Sequence, residues 1–310
     1  MSFLTPVPGA VLSREIADYP EGIVIPVNKP YRWTSADVIR KLKFAAIRHF
    51  GKRNLKVGHA GTLDPLATGI LLVCIGPACK MAQTLQDTDK EYIALVRFGA
   101  TTPSYDLEKP ADRLFPHDKV SEDAIHAILP SMLGEQEQIA PLFSAKSIDG
   151  VRAYELARKL YRKGGSDLDA AALETLHRSR IIISELELID FSEGTDSPES
   201  SASPTPPICY GPLPLMRPRV GTDSGESVPS EKTASSRINV ADTSNLGLPE
   251  ATIRIACSKG TYIRAFARDL GESMETGAHL AGLVRSRSGA FRLGDALSME
   301  QALALFPPQN

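Results

Sequence analysis

Two apolar periodicities run along the chain. Gly22–Val27 and Ile70–Ile75 are short apolar runs bounded by Gly or Pro, the length and composition of buried strands. Tyr92, Ala94, Val96 and Phe98 share one face of a strand that runs to Gly99, and Pro141–Lys146, Ile181–Leu188 and Thr252–Cys257 read as further strands. Helical spacing appears in Val38, Ile39, Leu42, Ala46 and Phe50. That helix starts at Thr34-Ser35, where Asp37 stands three residues after Thr34 in the pattern of a capping box. A second helix begins at Gly76-Pro77 and runs to about Gln86, and a third spans Glu122–Leu133, stopped by Gly134. Val151–Lys163 predicts a basic amphipathic helix. Ile263, Phe266, Ala267, Leu270 and Met274 form the apolar stripe of another, entered through the turn Ser258–Thr261. Asp106–Val120 reads as a charged loop.

One segment breaks the pattern. Between Ser192 and Glu250 the chain carries eleven serines and nine prolines with almost no periodicity. Such a composition buries too little apolar surface to offset its ordering entropy, which predicts a disordered insertion over 192–248. A linker between two domains is the alternative, but the residues after it are few for a separate core. The same segment holds eight acids against four bases. With a net charge of −2 over 310 residues, the remainder is slightly basic.

Charge is uneven in the other direction too. Val38–Leu63 holds seven bases and no acid. Such a stripe suits a phosphate-backbone partner, although most stripes seen alone are solvated helix faces. Cys74, Cys79, Cys209 and Cys257 are scattered without zinc spacing, and the six histidines form no metal motif. Neither a signal peptide nor an apolar run of membrane-spanning length is visible, so the reading is a cytoplasmic protein with no membrane partner.

The candidate chemistry lies in Gly58–Gly69. Asp64 stands among three glycines and before Pro65, directly ahead of the apolar run 70–75. Glycine opens backbone shapes closed to other residues, and Pro65 biases Asp64 away from helix. A carboxylate on a stiff loop is what a nucleophile requires, whereas an isolated Asp-Pro is more often a capped turn. Arg264 sits in the first turn of its helix, where the dipole disfavours a cation. That placement suits an anionic partner or an exposed arginine without one.

Together these pieces resemble the TruB family of tRNA pseudouridine synthases. The family signature G-H-x-G-x-L-D-P-x-A-x-G is matched by Gly58, His59, Gly61, Leu63, Asp64, Pro65, Ala67 and Gly69. Similarity extends over Val24–Lys43, Lys90–Gly99, Pro141–Arg158 and Ala256–Phe291. The resemblance implies an α+β fold with a mixed, largely antiparallel sheet flanked by helices. It implies Asp64 as the catalytic aspartate, Tyr92 as the residue stacking on the target base and Arg264 as the aspartate's partner. His59, Tyr262 and Leu283 match positions that contact the RNA or the flipped nucleotide, and Lys29 a lysine near the site. The implied reaction isomerises the T-loop uridine at position 55 of tRNA, without cofactor or metal, by a monomer that takes the T-arm. The alternatives are pseudouridylation of another RNA and a non-catalytic tRNA-folding or binding role; the intact Asp64, Tyr92 and Arg264 set argues against the latter.

Two departures stand out. Phe143 occupies a place where tyrosine is usual, so a hydroxyl contact is lost. The chain runs only from Phe291 to Asn310 where bacterial members usually continue into a small RNA-binding domain of the PUA type. The expected organisation is a loose extension over 1–21, a catalytic domain over 22–300 interrupted at 192–248, and a C-terminal tail over 301–310.

Overall fold

The computed structural model describes residues 3–141, 143, 147–148, 151–152, 178–194, 238 and 240–307. In chain order its elements begin with β1 (Ile23–Lys29), α1 (Ser35–Phe50), β2 (Val57–Ala60), β3 (Ala67–Ile75) and α2 (Ala82–Gln86). Next come β4 (Lys90–Phe98), β5 (Ala100–Thr101), β6 (Arg113–Leu114), α3 (Glu122–Ile128), β7 (Gly134–Gln138), β8 (Ser147–Ile148) and β9 (Val151–Arg152). Then follow β10 (Ser179–Ser192), β11 (Glu250–Cys257), α4 (Ile263–Ser273), β12 (Ala278–Ser288), β13 (Phe291–Arg292) and α5 (Met299–Ala304).

Among the described residues a nine-stranded sheet carries the fold, in the order β1-β3-β12-β4-β11-β10-β7, with β2 also on β3 and β13 on β12. Every pairing in it is antiparallel except β12 with β3. The sheet is therefore mixed and largely antiparallel, flanked by helices, and the fold is α+β. β1 occupies one edge of β3. The other edge is shared: β12 pairs with Ala67–Gly69 and β2 with Leu72–Ile75. The loop joining β2 to β3 thus crosses the end of β12.

Burial explains the sequence pattern. Val24, Ile70, Leu72 and Cys74 face a small apolar cluster with Ala78 and Leu85, while Ile25, Val27, Leu71 and Val73 face the main core. Strands covered on both sides read as continuous apolar runs, as Ile70–Ile75 does. α1 buries Val38, Leu42 and Ala46 and closes its first turn with the capping box, Thr34 accepting from the Asp37 amide and Asp37 from the Thr34 amide. Gly51 ends it in the left-handed region at φ 63°. Among the described residues no helix is long and apolar enough to cross a membrane.

Several expectations change. Gly58–Ala60, read as part of a loop, is strand β2. The helix from Gly76 is a 3-10 segment to Met81 before α2. Pro141 and Phe143 are not in a strand, and Val151–Arg152 pairs with Ser147–Ile148 rather than opening a helix; Leu142, Ser144–Lys146 and 153–163 lie outside the described residues. Residues 3–21 are not loose: Leu12 is buried, Leu4 pairs with Ile23, and the His49 ring meets the Ser13 carbonyl at 3.0 Å. Residues 301–307 are not a tail, because Ala302, Leu305 and Phe306 complete the core. Of the segment 192–248, residues 195–237 and 239 lie outside the described residues. Residues 240–248 are built into the body, with Thr243 buried against Arg97 and His279.

Candidate active site

The β2–β3 connection is fixed from three sides. Ser35, at the start of α1, accepts from the Leu63 amide at 3.0 Å and donates back to the Leu63 carbonyl at 3.1 Å. The amide of Arg32 donates to the Pro65 carbonyl at 2.9 Å, and the Ala67 amide to that of Asp64 at 3.1 Å. Gly61 and Gly69 bracket the loop at φ 93° and 99°, values that L side chains rarely adopt. The loop is stiff, and Asp64 projects from it with its side chain 39% exposed.

Arg264 meets that carboxylate from below. Its Nε lies 3.0 Å from Oδ2 and Nη2 3.3 Å from Oδ1, a two-pronged contact. The remaining donors go to the Ser104 carbonyl at 3.1 Å and the Phe143 carbonyl at 2.9 Å. Phe143 therefore contributes through its backbone. Arg264 is 4% exposed, and its neighbouring carboxylates hold its pKa above the usual value despite burial. A cation in the first turn of α4 is disfavoured by the helix dipole, and Asp64 supplies the compensating charge.

A second carboxylate, missed in the sequence, joins them. Asp106 Oδ2 is 3.8 Å from Arg264 Nε, and its Oδ1 accepts from Ser104 Oγ at 2.6 Å and the Glu108 amide at 2.9 Å. Burial pushes its carboxyl up, opposed mainly by Arg264. Asp64, Asp106, Arg264, Leu66, Tyr31 and Leu283 line one cleft. One wall is β12, whose Leu280–Leu283 segment reaches the cleft.

The other residues read from the sequence lie around this cleft rather than in its lining. Lys29 sits behind the loop, fully buried, donating to the carbonyls of Pro30 (3.0 Å), Trp33 (2.6 Å) and Pro65 (3.2 Å). Burial pulls its pKa down to about 7, with Asp64 opposing. Tyr92 lies on β4, buried, its hydroxyl pushed up by burial and felt by both Arg285 and Asp64. His59 on β2 is half-buried and held below its usual pKa by burial and then by Arg285. Tyr262 precedes α4, its backbone bonded both ways to the Gln138 amide group at 2.8 and 3.2 Å.

Arg285 on β12 was also missed. It is buried and donates to the carbonyls of Ile70, Gly61 and Thr62 at 2.7, 3.2 and 3.4 Å. The Ser/Pro-rich segment returns close by: Arg32 donates to the Ile238 carbonyl at 2.7 Å, and the Ala241 amide to that of Leu107 at 2.7 Å.

Chemically, the arrangement presents one accessible carboxylate, fixed by a buried guanidinium at the mouth of a partly apolar cleft. It suits attack on, or stabilisation of, an electrophilic carbon.

Residues 48–195 match the family described as TruB family pseudouridylate synthase (N terminal domain). The chain is 38% identical over 283 residues to the tRNA pseudouridine synthase B of Phocaeicola vulgatus, covering 91% of this chain and 92% of that protein. It is 34% identical over 278 residues to the tRNA pseudouridine synthase B of Deinococcus radiodurans, covering 89% and 77%. Among solved structures, a Cbf5-Nop10-Gar1 complex contains a chain of similar fold, at TM-score 0.51 and 21% identity. That likeness covers 90% of this chain and about half (53%) of the other.

Proposed function

The chain belongs to the TruB family of pseudouridylate synthases, and from that premise we propose that it converts the T-loop uridine at position 55 of tRNA to pseudouridine with Asp64 as nucleophile. The observation that carries the reading is the pairing of a solvent-reachable Asp64 with a buried Arg264 at the cleft. In the reaction the N1–C1′ bond breaks and uracil leaves with the bonding electrons. The Asp64 carboxylate bonds to, or stabilises, C1′. The base turns and C5 attacks C1′, C5 then gives up its proton, N1 gains one, and the carboxylate is released unchanged. Atoms and charge balance without an oxidant or a second substrate.

A target base stacked in the T-loop has to be flipped out, at a cost of order a few kcal/mol. Tyr92 is proposed as the ring that receives it; stacking on an aromatic side chain recovers ~1–3 kcal/mol per base. Leu283, which lines the cleft, and His59 and Tyr262 around it are proposed to contact the displaced nucleotide, and Lys29 to brace the Asp64 loop from behind. The exposed bases of α1 and of the turn after it would grip phosphates without reading sequence. Within the same proposal the enzyme is a cytoplasmic monomer that takes tRNA by its T-arm and needs neither cofactor nor metal.

The test is incubation of the purified protein with an unmodified tRNA transcript, followed by mapping of pseudouridine, beside Asp64→Ala. Product confined to the T-loop uridine with wild type, and none with the variant, is expected. No product with wild type, or equal product with both, would refute the assignment. Product at several uridines would overturn the site selectivity.

A further inference from the structure

Arg285 occupies a position that joins the two halves of the site. In the sheet register it stands directly across from Tyr92 on β4 and from Gly69 on β3. Cross-strand partners project to the same face, so the Arg285 and Tyr92 side chains share one face of the sheet. The guanidinium reaches the β2–β3 connection. There its donors take the carbonyls of Gly61 and Thr62, ahead of Asp64, and of Ile70, beyond it. On its other flank it interacts with the Tyr92 hydroxyl.

The side chain is 2% exposed. Among the described residues its hydrogen-bond partners are neutral carbonyls, with the Tyr92 phenol beside them. Burying a guanidinium without a carboxylate carries a desolvation cost that hydrogen bonds only partly offset. What the cost secures is geometric. A planar fork of donors fixes three carbonyls at once, which neither a lysine nor an apolar side chain can do. The three carbonyls lie on both sides of Asp64 in the chain, so the fork sets the loop's height above the sheet. The same guanidinium acts on the Tyr92 hydroxyl, its cross-strand neighbour.

We propose that Arg285 is a positioning residue for the isomerisation, holding the Asp64 loop and the Tyr92 ring in fixed mutual register. The proposal rests on the reading of Asp64 and Tyr92 given above. Arg285 touches neither substrate nor the reacting atoms. Its effect is felt in the rate of the chemical step rather than in RNA affinity, because misplacement of reacting groups by about 1 Å costs roughly 100-fold.

The experiment compares full-length wild type, Arg285→Met and Arg285→Lys on an unmodified tRNA transcript, reading single-turnover rate and filter-binding Kd separately. Arg285→Met should lower the rate about 100-fold with Kd within about threefold of wild type. Arg285→Lys keeps one cation but loses the fork, and should recover about tenfold of that loss. A rate for Arg285→Met within about threefold of wild type overturns the proposal, as do rate and affinity falling by the same factor. If Arg285→Met does not fold, Arg285→Lys decides: a rate about tenfold down at unchanged Kd supports the role, and a wild-type rate removes it. Wild type that makes no pseudouridine removes the proposed function and this role together. Active wild type beside fully active variants removes the role alone.

Discussion

Arg264 donates through Nε and Nη2 to the two carboxylate oxygens of Asp64, at 3.0 and 3.3 Å, across 200 residues of sequence. The arginine is buried while the aspartate is open to the cleft, so one partner is fixed and the other presented. Arg264→Lys keeps the charge but cannot form the two-pronged contact while also serving the Ser104 and Phe143 carbonyls. The expected outcome is a single-turnover pseudouridylation rate lower by about 100-fold, with tRNA affinity within about threefold. Affinity should hold because a residue 4% exposed offers almost no surface to RNA. Filter binding and product mapping on the same preparation decide it; affinity falling as far as the rate would show that Arg264 shapes the RNA surface instead.

The Asp64 loop and the frame around it were legible in the sequence because their signals are local. Glycine, proline and an apolar run mark Asp64 within a dozen residues, and the Thr34–Asp37 box marks the start of α1. β12 was not legible, for a physical reason. Register shifts at Leu280/Gly282 and Arg285/Arg287 break its period-two pattern, so neither alternation nor helical spacing appears. β7, an edge strand of sequence Gly-Glu-Gln-Glu-Gln, is polar throughout and offers no apolar face, although Gln138 is buried. Asp106 sits in a polar loop whose meaning comes from Arg264, 158 positions later, and Arg285 meets its carbonyls over more than 200 residues. Such long-range pairings leave no trace in spacing. Tyr92, His59 and Lys29 were named only through family resemblance, since a strand tyrosine, a turn histidine and a lysine before proline are ordinary features on their own.

Lys29 ties the loop to pH. In the fold its pKa is about 7, against 10.5 for the free side chain, and burial is the main cause. Between those values the unfolded chain binds more protons than the folded one, so stability rises with pH across that window. Below about 7 both states are protonated, and the full cost of burying the charge is present. Lys29→Met has no proton to lose there. The gap in unfolding free energy between wild type and Lys29→Met should move in favour of wild type by about 1–2 kcal/mol from pH 7 to pH 9. Urea unfolding of both proteins at the two pH values measures it, and parallel pH dependences would contradict the assignment of a proton-poor buried lysine.

Gly69 is required for a reason that joins backbone shape to packing. Its φ of 99° lies where L side chains are strained, and a Cβ built there would come within 2.3 Å of the Arg285 carbonyl oxygen and 2.6 Å of its amide nitrogen. Both atoms are backbone of the adjacent parallel strand, so neither can swing aside as a flexible side chain would. Gly69→Ala must therefore push β3 and β12 apart where they meet beneath the Asp64 loop, or refold the turn. Either response disturbs the Arg285 contacts to Gly61, Thr62 and Ile70. The expected loss of stability is roughly 3 kcal/mol or more, at the upper end of single substitutions. Gly51 offers the contrast: it has φ 63° and nothing within 4 Å of a built Cβ. Gly51→Ala then carries only the backbone strain, about 1–2 kcal/mol. Thermal and urea unfolding of the two variants side by side separate strain from collision, and equal losses would show that contact with Arg285 adds nothing at Gly69.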